Sequence, residues 1–225
     1  MYKFIDMHCD TISAIRDSDK RECLRENSFH VDLEKMKKAG YMLQTFAAYV
    51  YMGNDKNPLE ECLGLIDTFH EQIALNKDYI QPVYQYSDII ENQKAGKMSA
   101  LLSIEEGGCC KGKLENLRNF YRLGVRMMTL SWNFENEIAY PNLVREGRYG
   151  KPDKKNGLKD LGIQFIEEME RLGMIIDVSH LSDAGFYDVY EHTKKPFLAS
   201  HSNARNVCSH VRNLSDEMIR KIAER

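Results

Sequence analysis

The chain lacks a long apolar run, and its charges do not favour one sign. None of its apolar segments approaches the length of about 20 residues that a membrane-spanning helix needs. The N-terminus has no charged start followed by an apolar stretch, so we expect no signal peptide, no membrane contact and a cytoplasmic location. The net charge is -3 and the charged residues are spread along the chain, so we expect no basic surface for nucleic acid either.

Recognisable cysteine and glycine motifs are absent as well. The six cysteines follow neither a zinc-finger spacing nor a CxxC redox pattern, although Cys109 and Cys110 are adjacent. We expect free thiols in a reducing compartment. No apolar segment is followed by a glycine-rich phosphate-binding loop, which argues against a nucleotide-binding domain. What is present is 225 residues, 43% of them hydrophobic, enough for one substantial core.

Apolar runs alternate with segments of helical periodicity along the chain. Six apolar runs predict strands at residues 4–10, 41–51, 98–104, 125–130, 174–178 and 196–199. Helices are predicted at residues 32–39, 59–76, 86–94, 114–122, 158–172, 183–192 and 216–225. Gly40 and Gly173 mark helix ends, and Ser182 and Ser215 are predicted N-caps. Residues 134–157 follow neither period, and a loop of this length is typical of a lid or binding loop.

The predicted strands are continuous apolar runs rather than alternating ones. This pattern is typical of parallel strands that helices cover on their faces. It fits either a doubly wound open sheet or a (β/α)8 barrel of the TIM type, and the missing phosphate loop favours the barrel. We therefore predict a single α/β domain over residues 1–225, with about six of the eight units of such a barrel.

Polar residues, most of them able to bind metals, follow the predicted strands where each strand ends. They are His8 and Asp10, Glu105, Trp132 with Asn133, His180, and His201, after the first, third, fourth, fifth and sixth strands. The pair His8-x-Asp10 alone is typical of a turn. In a parallel barrel, however, the carboxyl ends of all strands meet on one face, where such enzymes carry their chemistry. The recurrence at later strand ends therefore favours a metal site.

The type and number of these residues indicate which metals they bind. Three imidazoles and two carboxylates suit Zn²⁺ or a similar divalent cation. A single catalytic zinc normally takes three protein ligands and a water, so five candidate ligands predict two Zn²⁺ ions per chain that share a bridging carboxylate. Such pairs lower the pKa of water and polarise a carbonyl, which indicates hydrolytic chemistry.

Several blocks of the sequence resemble the membrane (renal-type) dipeptidases, a binuclear-zinc branch of the metal-dependent hydrolase barrels. The blocks are DMHCDT at 6–11, LLSIE at 101–105, MTLSWN at 128–133, and a long one that includes 157–183, 200–205 and 212–214. The resemblance covers nearly the whole chain. It implies a dipeptidase that hydrolyses the peptide bond of dipeptides through a metal-bridging hydroxide.

The resemblance also implies a ligand set. One metal would be held by His8 and Asp10 and the other by His180 and His201, with Glu105 as the bridge between them. Glu106 is a competing bridge, because the Glu-Gly-Gly tripeptide can be aligned one residue later. Counting back without a gap from residues 123–126 favours Glu105.

Substrate contacts follow from the same resemblance. Arg212 matches the arginine that grips the carboxylate terminus of the dipeptide, a task that suits a bidentate guanidinium. Trp132 stands where the family often has a histidine that touches the substrate. We therefore predict substrate contacts by Arg212, Trp132 and Asn133. The family's catalytic aspartate falls beyond Arg225, so no catalytic residue is assigned, and the last part of the family fold is expected to be missing.

The sequence is compatible with three functions. The first is dipeptide hydrolysis, and the second is hydrolysis of another amide or a lactam on the same site, since a fold does not determine a substrate. The third is a catalytically impaired fragment that only binds metal, because it lacks the expected aspartate. A barrel open at two strands exposes unpaired edges, so we also expect self-association into a homodimer.

Overall fold

The computed structural model describes residues 3–18, 22–142 and 151–225. Its strands are β1 (Phe4–Cys9), β2 (Tyr41–Tyr49), β3 (Ile80–Pro82), β4 (Met98–Glu105), β5 (Val125–Thr129) and β6 (Ile175–Asp177). Its helices are α1 (Thr11–Arg16), α2 (Leu33–Ala39), α3 (Pro58–Leu75), α4 (Tyr86–Lys94), α5 (Leu114–Arg122), α6 (Asp160–Leu172), α7 (Asp183–His192) and α8 (Asp216–Ala223). A short 3-10 helix, Gly107–Cys110, follows β4.

All strand pairs in the sheet are parallel, and the order is β1-β2-β4-β5-β6. Strand β4 lies at the centre: β2 pairs along one edge, while β3 and β5 share the other edge, at its start and its end respectively. The sheet curls into a half-barrel, which confirms the predicted TIM-type α/β fold with only part of the barrel present. Across the described residues, no helix is both long and apolar enough to cross a membrane.

Side chains of neighbouring residues in one strand enter two different apolar clusters. Leu102 and Met128 pack in the main core between the sheet and the helices. Leu101 and Met127, one residue earlier in each strand, pack in a smaller cluster on the inner face of the curl. Because successive side chains of a strand point to opposite faces, a strand buried on both faces must be apolar throughout. This explains the continuous apolar runs of the sequence.

Three differences from the predicted elements concern short segments. Residues 196–199 do not form a strand, so this prediction is wrong: Leu198 makes a single parallel bridge to Asp177, with two backbone bonds of 2.8 and 3.1 Å continuing the sheet. Strand β3 was missed because it has three residues and ends at Pro82, too short for a periodic signal. Helix α1 is likewise absent from the predicted elements, because its six residues are too few for a periodic signal.

The predicted helix ends are confirmed. Gly40 and Gly173 adopt positive φ angles of 83° and 78°, which glycine tolerates because it has no Cβ. The Ser182 and Ser215 hydroxyls accept from backbone N–H groups of Gly185 and Met218. The binding loop predicted at 134–157 falls partly on residues 143–150, which lie outside the described residues.

Helix α6 packs closely on the segment before it, and Gly162 makes this approach possible. A Cβ at this position would overlap the carbonyl oxygen of Ile138, which already accepts from the Lys159 N–H at 2.9 Å. We expect Gly162→Ala to lower the free energy of unfolding by about 1–3 kcal/mol, because backbone must move to admit the methyl group. Urea denaturation with a constant m-value measures this loss.

A second helical glycine provides the matched control. The three atoms nearest to a Cβ at Gly64 all belong to the guanidinium of Arg16, the end of a flexible side chain. Alanine also has a helix propensity better than that of glycine by about 1 kcal/mol, so we expect Gly64→Ala to be neutral or stabilising. Equal losses for both variants would contradict this account of the α6 packing.

Candidate metal centre

A cavity of about 360 Å³ lies at the carboxyl ends of the strands. Its lining is His8, Asp10, Tyr49, Glu105, Trp132, His180, His201 and Arg212. The strand register explains this gathering: Tyr49 is paired with Glu105, Glu105 with Thr129, and Thr129 with Asp177. The strands therefore end at one level, and the residues that follow them face each other across the curl. Six of the seven strand-end residues proposed from the sequence line this cavity.

The buried carboxylate of Glu105 lies at the centre of three imidazoles. Its Oε2 atom is 3.2 Å from Nε2 of His8, which is also 3.4 Å from Oδ1 of Asp10. Its Oε1 atom is 3.1 Å from Nε2 of His180 and 3.4 Å from Nε2 of His201. The two oxygens thus face two different sets of side chains. Burial alone raises the pKa of Glu105, but its close contacts with the imidazoles of His180, His201 and His8 hold the pKa of this carboxyl well below its usual range.

The neighbouring Glu106 points away from the histidines. Its Oε1 accepts from Gly108 N and Asn136 Nδ2, and its Oε2 accepts from Trp132 N at 2.9 Å. Glu106 thereby ties the 3-10 helix to the segment after β5. Its backbone has a φ of 101°, a strained angle for a residue with a Cβ. The geometry brings Glu105, and not Glu106, into contact with the imidazoles.

The hydrogen-bond network assigns the protons on two of the rings. Nδ1 of His180 lies 2.9 Å from Oδ1 of Asn133, an acceptor, so this nitrogen carries the proton. Nδ1 of His201 lies 2.7 Å from Oγ of Ser200. That hydroxyl donates its own proton to Asp177 Oδ2 at 2.6 Å, so it must accept from His201. In both rings, Nε2 is therefore left with a lone pair.

These two lone pairs face each other, since the Nε2 atoms of His180 and His201 are 2.9 Å apart. Two acceptors at this distance repel each other unless a cation lies between or beside them. Burial lowers the pKa of His180 to about 4, so its ring is neutral near pH 7, the form that binds metals. Ligand atoms of His8, Glu105 and His201 also lie within 4.8 Å of one another. The donor set therefore fits a divalent cation.

His8 differs from His180 in its protonation. Burial lowers its pKa, but hydrogen bonds and charge from Asp10 and Glu105 outweigh burial and raise the pKa to about 10. Among the described residues, its buried Nδ1 has no hydrogen-bond partner. The two carboxylates thus stabilise a positive charge at this position, and a bound metal cation would supply that charge in place of the proton.

The backbone at His180 is held in an uncommon conformation. Its φ of 70° lies in the left-handed region, which residues with a Cβ rarely occupy outside functional sites. The His180 carbonyl accepts from Asn142 N at 2.9 Å, and Leu181 N donates to Val178 O at 3.2 Å. These bonds hold the turn that places the ring beside Glu105.

Arg212 lines the same cavity with an unusual set of partners. Its guanidinium donates to Ser202 Oγ and to the His201 carbonyl, each at 3.2 Å. Within the part of the chain that the structure describes, no carboxylate lies within ion-pair distance of it. Burial lowers the pKa of Arg212 to about 10, which leaves it charged at neutral pH. A half-buried cation without an anion partner is a ready site for a ligand carboxylate.

The other two predicted substrate contacts differ from each other. Trp132 lines the cavity, with its ring centroid 5.2 Å from that of Tyr49 and 5.8 Å from that of His180. Asn133, in contrast, is not among the lining residues, because its side chain turns behind His180 to bond Nδ1. Asn133 therefore orients the His180 ring and does not face the substrate cavity.

Tyr49 and Ser200 were missed in the sequence. Tyr49 ends β2 at the level of Glu105, and burial together with the Glu105 charge raises its pKa. The strand-end rule did not identify it, because the strand predicted at residues 41–51 extends past the end of β2 at Tyr49. Ser200 carries no signal in the sequence, since a serine beside a histidine is common.

A parallel α/β barrel sheet with histidines and carboxylates at its carboxyl end is the arrangement of the metal-dependent hydrolases. The chain belongs to the membrane dipeptidase family, peptidase family M19, whose family model matches residues 1–225. This confirms the resemblance seen in the sequence blocks.

Three relatives show how far the similarity extends. Dipeptidase aclJ of Aspergillus oryzae (strain ATCC 42149 / RIB 40) is 30% identical over 203 residues, which are 86% of this chain and 47% of that protein. A solved structure of a metallo peptidase from Rhodobacter sphaeroides, liganded with a phosphinate mimic of the dipeptide L-Ala-D-Ala, has a TM-score of 0.88 to this chain. Its sequence is 24% identical, and the match covers 98% of this chain and 70% of that chain. Dipeptidase AC, a metallo peptidase of family M19, is 25% identical with a TM-score of 0.89, and the match covers 98% of this chain and 69% of that chain. This chain thus spans about half the length of the fungal relative.

Proposed function

We propose that this chain carries the metal centre of a metal-dependent dipeptidase and hydrolyses the peptide bond of dipeptides. One observation carries the proposal: one oxygen of Glu105 faces His8 and the other faces His180 and His201, in a cavity lined also by Arg212. Among the described residues, the Arg212 guanidinium has no carboxylate partner. A paired metal centre suits hydrolysis, and a cation a short way from it suits a substrate that ends in a carboxylate. The family and the 30% identity to a fungal dipeptidase support the same reaction.

The proposed metals are two Zn²⁺ ions. His8 and Asp10 would hold one of them, His180 and His201 the other, and Glu105 would supply one oxygen to each. When bound, the metals polarise the peptide carbonyl and make the attacking water more acidic. The ionised state of Glu105 and the neutral ring of His180 are the protonation states that such binding requires.

The remaining lining residues position the substrate in this proposal. Arg212 binds the terminal carboxylate through its forked N–H groups and so sets the distance from that terminus to the scissile bond. Trp132 and Tyr49, packed edge to face, form an apolar wall beside His180. This wall excludes water from one side of the cavity, which strengthens the charge interactions inside it.

Hydrolysis by the purified chain tests the proposal. After loading with Zn²⁺, we expect release of free alanine from L-Ala-L-Ala or L-Ala-D-Ala, measured by a ninhydrin-type amine assay. Removal of the metal with a chelator should abolish the activity, and Zn²⁺ should restore it. The control is N-acetyl-alanine amide, which has an amide bond but no carboxylate.

Different outcomes separate the alternatives. Metal binding without hydrolysis of any dipeptide would contradict the proposal and favour a chain that only binds metal. Equal rates on the dipeptides and on the carboxylate-free control would favour a general amide hydrolase.

A further inference from the structure

The carboxylate of Asp177 is fully buried at the end of β6 and touches neither the cavity nor an imidazole. Four donors surround it: Thr129 Oγ1 at 2.7 Å, Ser179 N and Ser200 N at 3.0 Å each, and Ser200 Oγ at 2.6 Å. A buried carboxylate is costly unless its oxygens are bonded in this way. Its place in the fold therefore calls for a role beyond packing.

Asp177 links the two segments that carry metal-site histidines. Ser179 precedes His180, and Ser200 precedes His201, and the backbone N–H groups of both serines donate to the same Oδ1 atom of Asp177. In addition, His201 N donates to Ser179 Oγ at 3.1 Å, which joins the two segments directly. One carboxylate thus sets the relative position of both rings.

Ser200 extends this link from the backbone to an imidazole. Its hydroxyl donates to Asp177 and accepts from Nδ1 of His201 at 2.7 Å. The chain of bonds from carboxylate to hydroxyl to imidazole leaves the Nε2 lone pair of His201 pointing toward Glu105 and His180. Carboxylate groups that act on metal-binding histidines in this way are known to orient the ring and to increase its basicity.

The rings of His180 and His201 are restrained by packing to different degrees. The side chain of His180 is 8% exposed and is held by packing and by Asn133. The side chain of His201 is 27% exposed, so packing restrains it less. Its orientation depends correspondingly more on the bond to Ser200.

We propose that Asp177 and Ser200 form a positioning pair that selects the tautomer and orientation of His201 and thereby determines the affinity of the metal centre. This inference rests on the proposed function, since it assumes that His201 binds metal. Ser200 acts through the ring and is not expected to contact the substrate.

The test measures Zn²⁺ affinity by competition with a fluorescent chelator, in the full chain and three variants. We expect Ser200→Ala to weaken binding by about 10- to 100-fold, the usual effect of removing such an outer partner. Ser200→Thr keeps the hydroxyl and should bind within about threefold of the unmodified chain. Ser99→Ala, which removes a buried hydroxyl bonded to Asn92 at the far end of β4, should bind Zn²⁺ unchanged.

Two further measurements separate positioning from structural support. Histidine ring nitrogen shifts in the metal-free protein should show a proton on Nδ1 of His201, and Ser200→Ala should lose this preference. Thermal unfolding of the metal-free variants reports any general loss of stability.

The outcomes are distinguishable. Unchanged Zn²⁺ affinity in Ser200→Ala would overturn the inference, as would a weakening that is equal in the threonine variant and matched by lost stability. If the unmodified chain does not bind Zn²⁺ at all, the proposed function fails first. The nitrogen shifts then decide the tautomer by themselves, and a proton on Nε2 would overturn the positioning role.

Discussion

Replacing Glu105 by glutamine is expected to lower Zn²⁺ affinity by roughly 10²- to 10⁴-fold and to abolish dipeptide hydrolysis. The estimate corresponds to the cost of about 3–5 kcal/mol for removing one partner from a buried charged cluster. The carboxylate faces three imidazoles through both of its oxygens, and an amide offers one weak acceptor and one donor in its place. The amide N–H₂ would also oppose any cation. Calorimetric titration with Zn²⁺ and the alanine-release assay measure the two effects.

Glu106 provides the matched control, because it is the adjacent residue, is equally buried and undergoes the same substitution. In Glu106→Gln, the new NH₂ group is a donor that faces another donor, either Trp132 N or the groups that now bond the other oxygen. We expect this to lower the free energy of unfolding by about 1–3 kcal/mol. We expect this variant to unfold more easily but to bind Zn²⁺ with the affinity of the unmodified chain. Loss of metal in Glu106→Gln with retention in Glu105→Gln would reverse the assignment of the bridge.

Arg212→Ala is expected to lower kcat/KM for dipeptides by roughly 30- to 1,000-fold, mostly through KM. This range corresponds to about 2–4 kcal/mol, as for truncation of one partner in a buried, hydrogen-bonded charge pair. The reason is that the guanidinium, which has no carboxylate partner among the described residues, is free to bind the terminal carboxylate of the substrate. Initial rates over a range of dipeptide concentrations separate KM from kcat.

Two controls make the Arg212 result specific. For a dipeptide amide, which lacks the carboxylate, the unmodified chain and Arg212→Ala should show similar rates. Arg205 lies nearby but pairs with Asp183 through bonds of 2.9 and 2.8 Å, so Arg205→Ala should reduce stability rather than raise KM. An equal loss on the dipeptide and its amide would show that Arg212 does not recognise the carboxylate.

The longer strands and helices and the strand-end residues could be predicted from the sequence because both are local properties. A strand buried on two faces needs an apolar run, and a parallel barrel brings the residue after each run to one face, whatever the details of packing. His8, Glu105, His180 and His201 were found by this rule, and the cavity contains all four. Their role as metal ligands, the two-zinc count and the homodimer stay predictions.

Other features depend on contacts between residues that are distant in the chain, and the periodicity of the sequence does not indicate such contacts. Glu105 and Glu106 are adjacent, and the chain turn after β4 sends the first toward the histidines and the second toward Asn136. The Asn133 amide turns behind His180, and Ser200 bonds both Asp177 and His201, because residues 177–180 and 198–201 run side by side. The sequence identified the types of side chain at the metal centre, while packing across the curled sheet determined which oxygen faces which ring.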